Sequence, residues 1–174
     1  MNRSVILGTG HATVTRCYNT CFVLQTDTTT LLVDAGGGNG ILQRLKQAGI
    51  AIKDLHHMYV THAHTDHILG TIWVIRMVLS AAGYEGRFHI YSHAKVLRVI
   101  SMICGETLSA KHRRLMGERV VMHEVGDGTG FNVGDIGMQS FDIHSKKEPQ
   151  YGFRATLPGG AVVVCLGYDP YTPL

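Results

Sequence analysis

The segment Thr61-His62-Ala63-His64-Thr65-Asp66-His67 constrains this chain more than any other. Three imidazoles and a carboxylate crowd together directly after the apolar run Met58-Tyr59-Val60 and directly before Ile68 to Leu79, whose apolar residues recur at helical spacing. Side chains alternate along an extended chain, so His62 and His64 project to the same side and two imidazole nitrogens can converge on one cation. Asp66 and His67 then open the helix and serve a neighbouring position. The spacing reads as a two-metal site built where a strand ends and a helix begins. Chance is the competing account, since the chain holds 11 His in 174 residues. Composition alone yields this pattern in roughly a few per thousand chains of this size, which favours metal.

Around that segment the chain reads as strands, then alternating strands and helices, then strands again. Ser4 to Leu7, Cys21 to Gln25 and Thr30 to Val33 are short apolar or β-branched runs separated by Gly, Asn, Asp and Thr. Gly8-Thr9-Gly10 lacks the third glycine of a dinucleotide fingerprint and reads as a turn. Asp34 ends a strand and runs into Gly36-Gly37-Gly38, where it can cap the helix carried by Ile41, Leu42 and Leu45. Leu55 to Val60 forms the strand that delivers the histidines, with His56 and His57 expected at the surface. His67 to Ala82 is a buried helix, Phe88 to Tyr91 a strand, and Lys95 to Cys104 and Thr107 to Met116 two further helices. Lys111, His112, Arg113, Arg114 and Arg119 make the densest basic segment, read either as a solvated helix face or as a landing strip for RNA or another polyanion. Val120 to Val125, Phe131 to Val133, Met138 to His144, Gly152 to Leu157 and Ala161 to Leu166 return to strands. Such an order suits a β-sandwich with helices on its outer faces.

Composition sets the remaining bounds. The 174 residues form a single domain, 45% hydrophobic and 17% charged, with no apolar run long enough to span a membrane. The start runs straight into a strand with no signal peptide in view, which places the chain in the cytoplasm. Cys17, Cys21, Cys104 and Cys165 lack the spacing of a zinc ribbon and are expected reduced. A net charge of +3 permits an anionic substrate without requiring one.

The histidine motif resembles the signature of the metallo-β-lactamase superfamily, His-x-His-x-Asp-His at a strand end. The resemblance extends through Leu7-Gly8-Thr9-Gly10, Leu32-Val33-Asp34-Ala35-Gly36-Gly37, Asp142-Ile143-His144-Ser145, Tyr151-Gly152-Phe153-Arg154 and Leu166-Gly167-Tyr168-Asp169, and within the superfamily it is similar to the ribonuclease Z branch. It implies an α+β fold of αββα type. It further implies that His62, His64 and His144 hold a first zinc ion, that Asp66, His67 and a bridging Asp169 hold a second, and that Asp34 supports the ligands by hydrogen bonding. Manganese or iron suits the same donors.

Two departures qualify the resemblance. Asp169 arrives one residue later than the bridging Asp of family members, and the chain stops at Leu174, before the family's last strands, helices and histidine. An incomplete second half is therefore expected, and a homodimer, a domain swap or a truncated gene product are the accounts of what it leaves bare, a homodimer first among them. The expected chemistry is hydrolysis by a metal-bound hydroxide, with Asp66 and His67 at the reacting centre and Lys146, Lys147 and Arg154 on the phosphate of a phosphodiester. The short stretch between His144 and Asp169 has no room for the tRNA-binding arm of ribonuclease Z, so a small phosphodiester stands beside RNA as substrate. The other reading is a degenerate, non-catalytic metal-binding or oligomerisation module.

Overall fold

Short apolar runs broken by Gly, Asn and Asp become strands in the computed structural model, which describes residues 1–166. Residues 167–174, and with them the expected bridging Asp169, lie outside the described residues. Strands β1 (Arg3–Gly8), β2 (Cys21–Gln25) and β3 (Thr30–Val33) are antiparallel neighbours. The chain then alternates through α1 (Gly40–Gln47), β4 (His57–Tyr59), α2 (Thr65–Ser80), β5 (Phe88–Ser92), α3 (Ala94–Thr107), α4 (Ala110–Arg114) and β6 (Val120–Glu124). Helical crossovers bring each strand back in the same direction, so β4, β5 and β6 pair parallel and extend one sheet in the order β1 to β6. Strands β7 (Gly130–Val133), β8 (Ile136–Asp142), β9 (Tyr151–Thr156) and β10 (Val162–Cys165) form a second, antiparallel sheet.

The central strands β2 to β5 of the first sheet are buried on both faces, which is why they carry adjacent apolar residues rather than a strict alternation. On one face Val23, Leu32, Met58 and Ile90 meet Ile41 and Leu45 of α1, Ile68, Val74, Ile75 and Val78 of α2, and Val96 and Ile100 of α3. On the other, Leu24, Leu31, Val33, Tyr59 and Tyr91 pack against Val133, Ile136, Met138, Phe153 and Ala155 of the second sheet. The layers are thus helix, sheet, sheet, with Val162 and Val164 exposed on β10. Among the described residues no helix is long and apolar enough to cross a membrane.

Two local expectations change. Helix α3 runs on to Thr107 instead of ending at Cys104, and α4 begins only after Ser109, whose hydroxyl accepts the His112 N–H at 3.3 Å. Within the basic segment, Arg113 donates to the Leu108 carbonyl at 2.7 Å and Arg119 reaches the Leu79 carbonyl at 3.5 Å, so two of its cations serve the ends of helices. His57 is not a surface residue: it lies in register with Leu31 on the inter-sheet face and is partly buried. It stacks on His89 with ring centroids 5.5 Å apart, and His89 Nδ1 stands 2.8 Å from His123 Nε2.

Helix α2 is drawn against the loop after β3 at Gly70. The Gly70 N–H donates to the Gly36 carbonyl at 2.8 Å, and a Cβ built on Gly70 would stand 1.8 Å from the Ala35 carbonyl oxygen. That close approach sets how near the first turn of α2 comes to Asp34. Gly70→Ala is expected to lower stability by about 1–3 kcal/mol through overpacking, measured by urea unfolding.

Burial lowers the pKa of His57 to about 4, helped by the neighbouring His89, and lowers His89, His93 and His123 as well. The folded state therefore binds fewer protons than the unfolded state below the ordinary histidine value near 6.5. Stability is expected to be full above that value and to fall as pH drops toward 4. The urea midpoint should decrease between pH 7 and pH 5, with a shallower decrease in His57→Gln.

Candidate metal centre

Strands β3 and β4 are parallel neighbours, so their ends deliver Asp34 and the Thr61–His64 segment side by side. Asp34 adopts a left-handed backbone conformation, φ 54°, which an aspartate tolerates better than most residues. This turn sends its carboxylate under the histidine segment. Oδ1 accepts the Thr61 N–H at 2.8 Å, while Oδ2 accepts the Thr61 hydroxyl at 2.8 Å and His67 Nδ1–H at 2.7 Å. Burial acts to raise the Asp34 pKa, but His67 beside it, His62 and the Thr61 amide together bring it below the usual value. Asp34 is therefore an ionised, acceptor-only group at neutral pH.

Those donations fix the next tautomer. The Thr61 hydroxyl gives its proton to Asp34, so it must accept from His62 Nδ1, 2.8 Å away. His62 Nε2 then carries the lone pair, and that atom is buried without a hydrogen-bond partner. Burial, and next the nearby His67, push the His62 pKa down to about 4, so the ring is neutral at pH 7. A neutral imidazole with one nitrogen anchored and the other bare is the form that binds a cation.

The other motif side chains gather around this ring. His64 and His67 lie with centroids 4.7 and 4.1 Å from that of His62, and His67 Nε2 is 3.5 Å from an Asp66 oxygen. Asp66 and His67 occupy the first turn of α2, as their spacing implies. A cavity of about 770 Å³ opens over them, lined among others by His11, Phe22, His64, Asp66, His67 and Cys165.

Other expected site residues stand elsewhere. His144 follows β8 at φ 56° with its side chain 84% exposed; its N–H is held by Asp142 Oδ1 at 2.8 Å and its ring is 3.8 Å from Asp142 Oδ2. The turn on Asp142 directs His144 to solvent, and among the described residues no three His, Cys, Asp or Glu side chains are arranged to hold an ion. Lys146 and Lys147 are exposed and do not line the cavity. Arg154 lies on the outer face of the second sheet, because Phe153 and Ala155 on either side of it face inward.

Three residues to which the sequence reading gave no role do shape the site. Thr61 relays Asp34 to His62. Glu148, in the loop between β8 and β9, accepts the Ala63 N–H at 3.2 Å and Lys95 Nζ at 2.7 Å, and its Oε1 is 3.7 Å from His64 Nε2. Tyr18 donates to the loop after β3, with carbonyls of Ala35 and Gly38 at 2.8 and 2.7 Å. Only Thr61, adjoining the motif, lay where sequence could have pointed.

Thr61→Val keeps the volume but removes the relay. It is expected to cost about 1–3 kcal/mol of stability in chelator, from the stranded buried groups, and to weaken zinc binding roughly 10–100-fold, measured by urea unfolding and zinc titration.

Comparison with known proteins bears on the family and the fold. An exodeoxyribonuclease YycJ from Bacillus anthracis is 30% identical over 146 residues, covering 82% of this chain and 48% of that protein. A ribonuclease Z from Mycolicibacterium gilvum is 27% identical over 158 residues, 80% of this chain and 54% of the relative. The chain thus spans about half the length of these relatives. Among solved structures, the short form of human tRNase Z superposes with a TM-score of 0.76 at 18% identity, covering 100% of this chain and 71% of that one. YhfI from Bacillus subtilis, a metallo-β-lactamase fold protein, gives 0.71 at 18% identity, covering 94% and 61%. Residues 3–158 match the family model described as anti-Pycsar protein Apyc1. The chain belongs to that family, has the metallo-β-lactamase fold and is similar in sequence to ribonuclease Z.

Proposed function

We propose that this chain carries the metal centre of a metal-dependent hydrolase that cleaves phosphodiesters. The observation that carries the reading is the buried, unpartnered Nε2 of His62, on a ring packed against His64 and His67, which with Asp66 line the cavity. These donors fit a divalent ion: neutral imidazoles and a carboxylate are what zinc, manganese and iron accept. His62, His64, Asp66 and His67 would hold one or two ions, zinc first among them. His144 would join them only by leaving its turn with Asp142. A bound ion would supply positive charge for a developing oxyanion and acidify water toward neutrality.

The chain's own residues do the rest. Asp34 keeps His67 and, through Thr61, His62 in the tautomers that expose Nε2 to the centre. Asp66 and His67, at the floor of the cavity, are the side chains nearest the reacting bond in this proposal. The N-terminus of α2, from Thr65, adds partial positive charge suited to an anionic substrate. Names among the similar proteins support the phosphodiester class, since they include a ribonuclease and an exodeoxyribonuclease. RNA and a small phosphodiester are both within that class.

A second reading, a metal-binding module without catalysis, is favoured by one observation: His144, the expected third histidine, turns to solvent on Asp142, which leaves His62, His64, Asp66 and His67 as the donors. Hydrolysis of bis(p-nitrophenyl) phosphate separates the two. The wild type is expected to turn over, to lose activity in chelator and to regain it with zinc or manganese, while His64→Ala is expected to lose at least a hundredfold. A zinc-loaded wild type with no turnover supports the module, and activity that survives His64→Ala overturns the metal-hydrolase reading.

A further inference from the structure

The motif segment is gripped from two sides, and only one grip is explained by Asp34. Two alternate amides, Thr61 and Ala63, each donate to a carboxylate: Thr61 to Asp34 at 2.8 Å and Ala63 to Glu148 at 3.2 Å. The parallel continues in the side chains. Asp34 accepts from His67 and acts on His62 through Thr61, while Glu148 faces His64 more loosely, with Oε1 3.7 Å from Nε2, beyond direct hydrogen-bond reach. The Glu148 side chain is only 12% exposed, and its second oxygen is engaged by Lys95 Nζ at 2.7 Å, at the start of α3. A carboxylate so enclosed is stable as a charge because Lys95 neutralises it and an amide hydrogen-bonds to it.

We propose that Glu148 is the positioning carboxylate for His64, holding the backbone through the Ala63 amide and facing the ring at Nε2, with Lys95 holding Glu148 in place. The role rests on the metal-centre reading above. Imidazoles that bind metals through one nitrogen are commonly set by a carboxylate at the other, and losing that carboxylate weakens binding about 10–100-fold. Glu148 thereby couples the β8–β9 loop and the start of α3 to the centre, an arrangement that the motif segment could not make from its own residues. It is a positioning residue: Asp34 serves one half of the centre and Glu148 the other.

The test is zinc affinity of the full chain by competition with a chromophoric chelator, with cobalt absorption spectra and unfolding in EDTA on the same samples. Glu148→Ala is expected to weaken zinc binding about 10–100-fold and to alter the cobalt spectrum. Lys95→Ala should weaken it less, and the double variant should bind no worse than Glu148→Ala alone, because Lys95 acts through Glu148. Glu148→Gln keeps an acceptor for the Ala63 amide and should recover part of the loss; it carries the test should Glu148→Ala fail to fold. Wild-type affinity and spectrum in both Glu148 variants would overturn the role while leaving the metal centre standing. A wild type that binds no zinc overturns the centre and the role together.

Discussion

The site depends on one buried carboxylate. Asp34 takes three hydrogen bonds, two from Thr61 and one from His67. A charge at 4% residue exposure is tolerable only when its lone pairs are taken up in this way. The consequence reaches further than its own contacts. Because the Thr61 proton is committed to Asp34, His62 must donate to Thr61 and leave its other nitrogen bare. A single ionised group thus sets two imidazole tautomers and the backbone of the segment that carries them.

The fold exists, from the site's point of view, to keep that carboxylate in place. Strand β3 and strand β4 pair in parallel, so Asp34 and Thr61 emerge from the same end of the sheet. Gly70 lets α2 settle onto the loop after β3, and the Ala35 N–H bonds the His67 carbonyl at 3.0 Å. Tyr18 and Asn19 tie down the same loop from the other side, with the Gly37 N–H donating to Asn19 Oδ1 at 3.0 Å. The Tyr151 N–H, from the second sheet, meets the Thr61 carbonyl at 3.0 Å. Helix layer, first sheet and second sheet therefore contribute bonds to the two neighbouring stretches that carry the site, the loop after β3 and the backbone at Thr61. Rigid support of this kind is what a metal centre needs, since small displacements of ligands are costly in affinity.

The two carboxylates divide the work in different ways. Asp34 belongs to the element beside the motif in the sheet, whereas Glu148 arrives from the far sheet's loop and is balanced by Lys95 from a third element. Between them they leave the cavity side of the centre to His64, Asp66 and His67.

Local pattern determined much of this by itself. The alternation of His62 and His64, the apolar run before them and the helical spacing after Ile68 are encoded in neighbouring residues, so the strand-to-helix junction and the sandwich were legible. So was Asp34 at its strand end, through family resemblance. Tertiary structure decided what depends on distant residues meeting. The burial of His57 against His89 and His123 follows from the pairing of three strands, and the outward direction of Arg154 follows from which face of β9 meets the core. The turn of His144 toward solvent follows from a left-handed residue after Asp142, which no periodicity signals. Glu148 and Lys95 lie 53 positions apart in the chain and both far from His64, so only the packing of the β8–β9 loop against α3 could bring them to it.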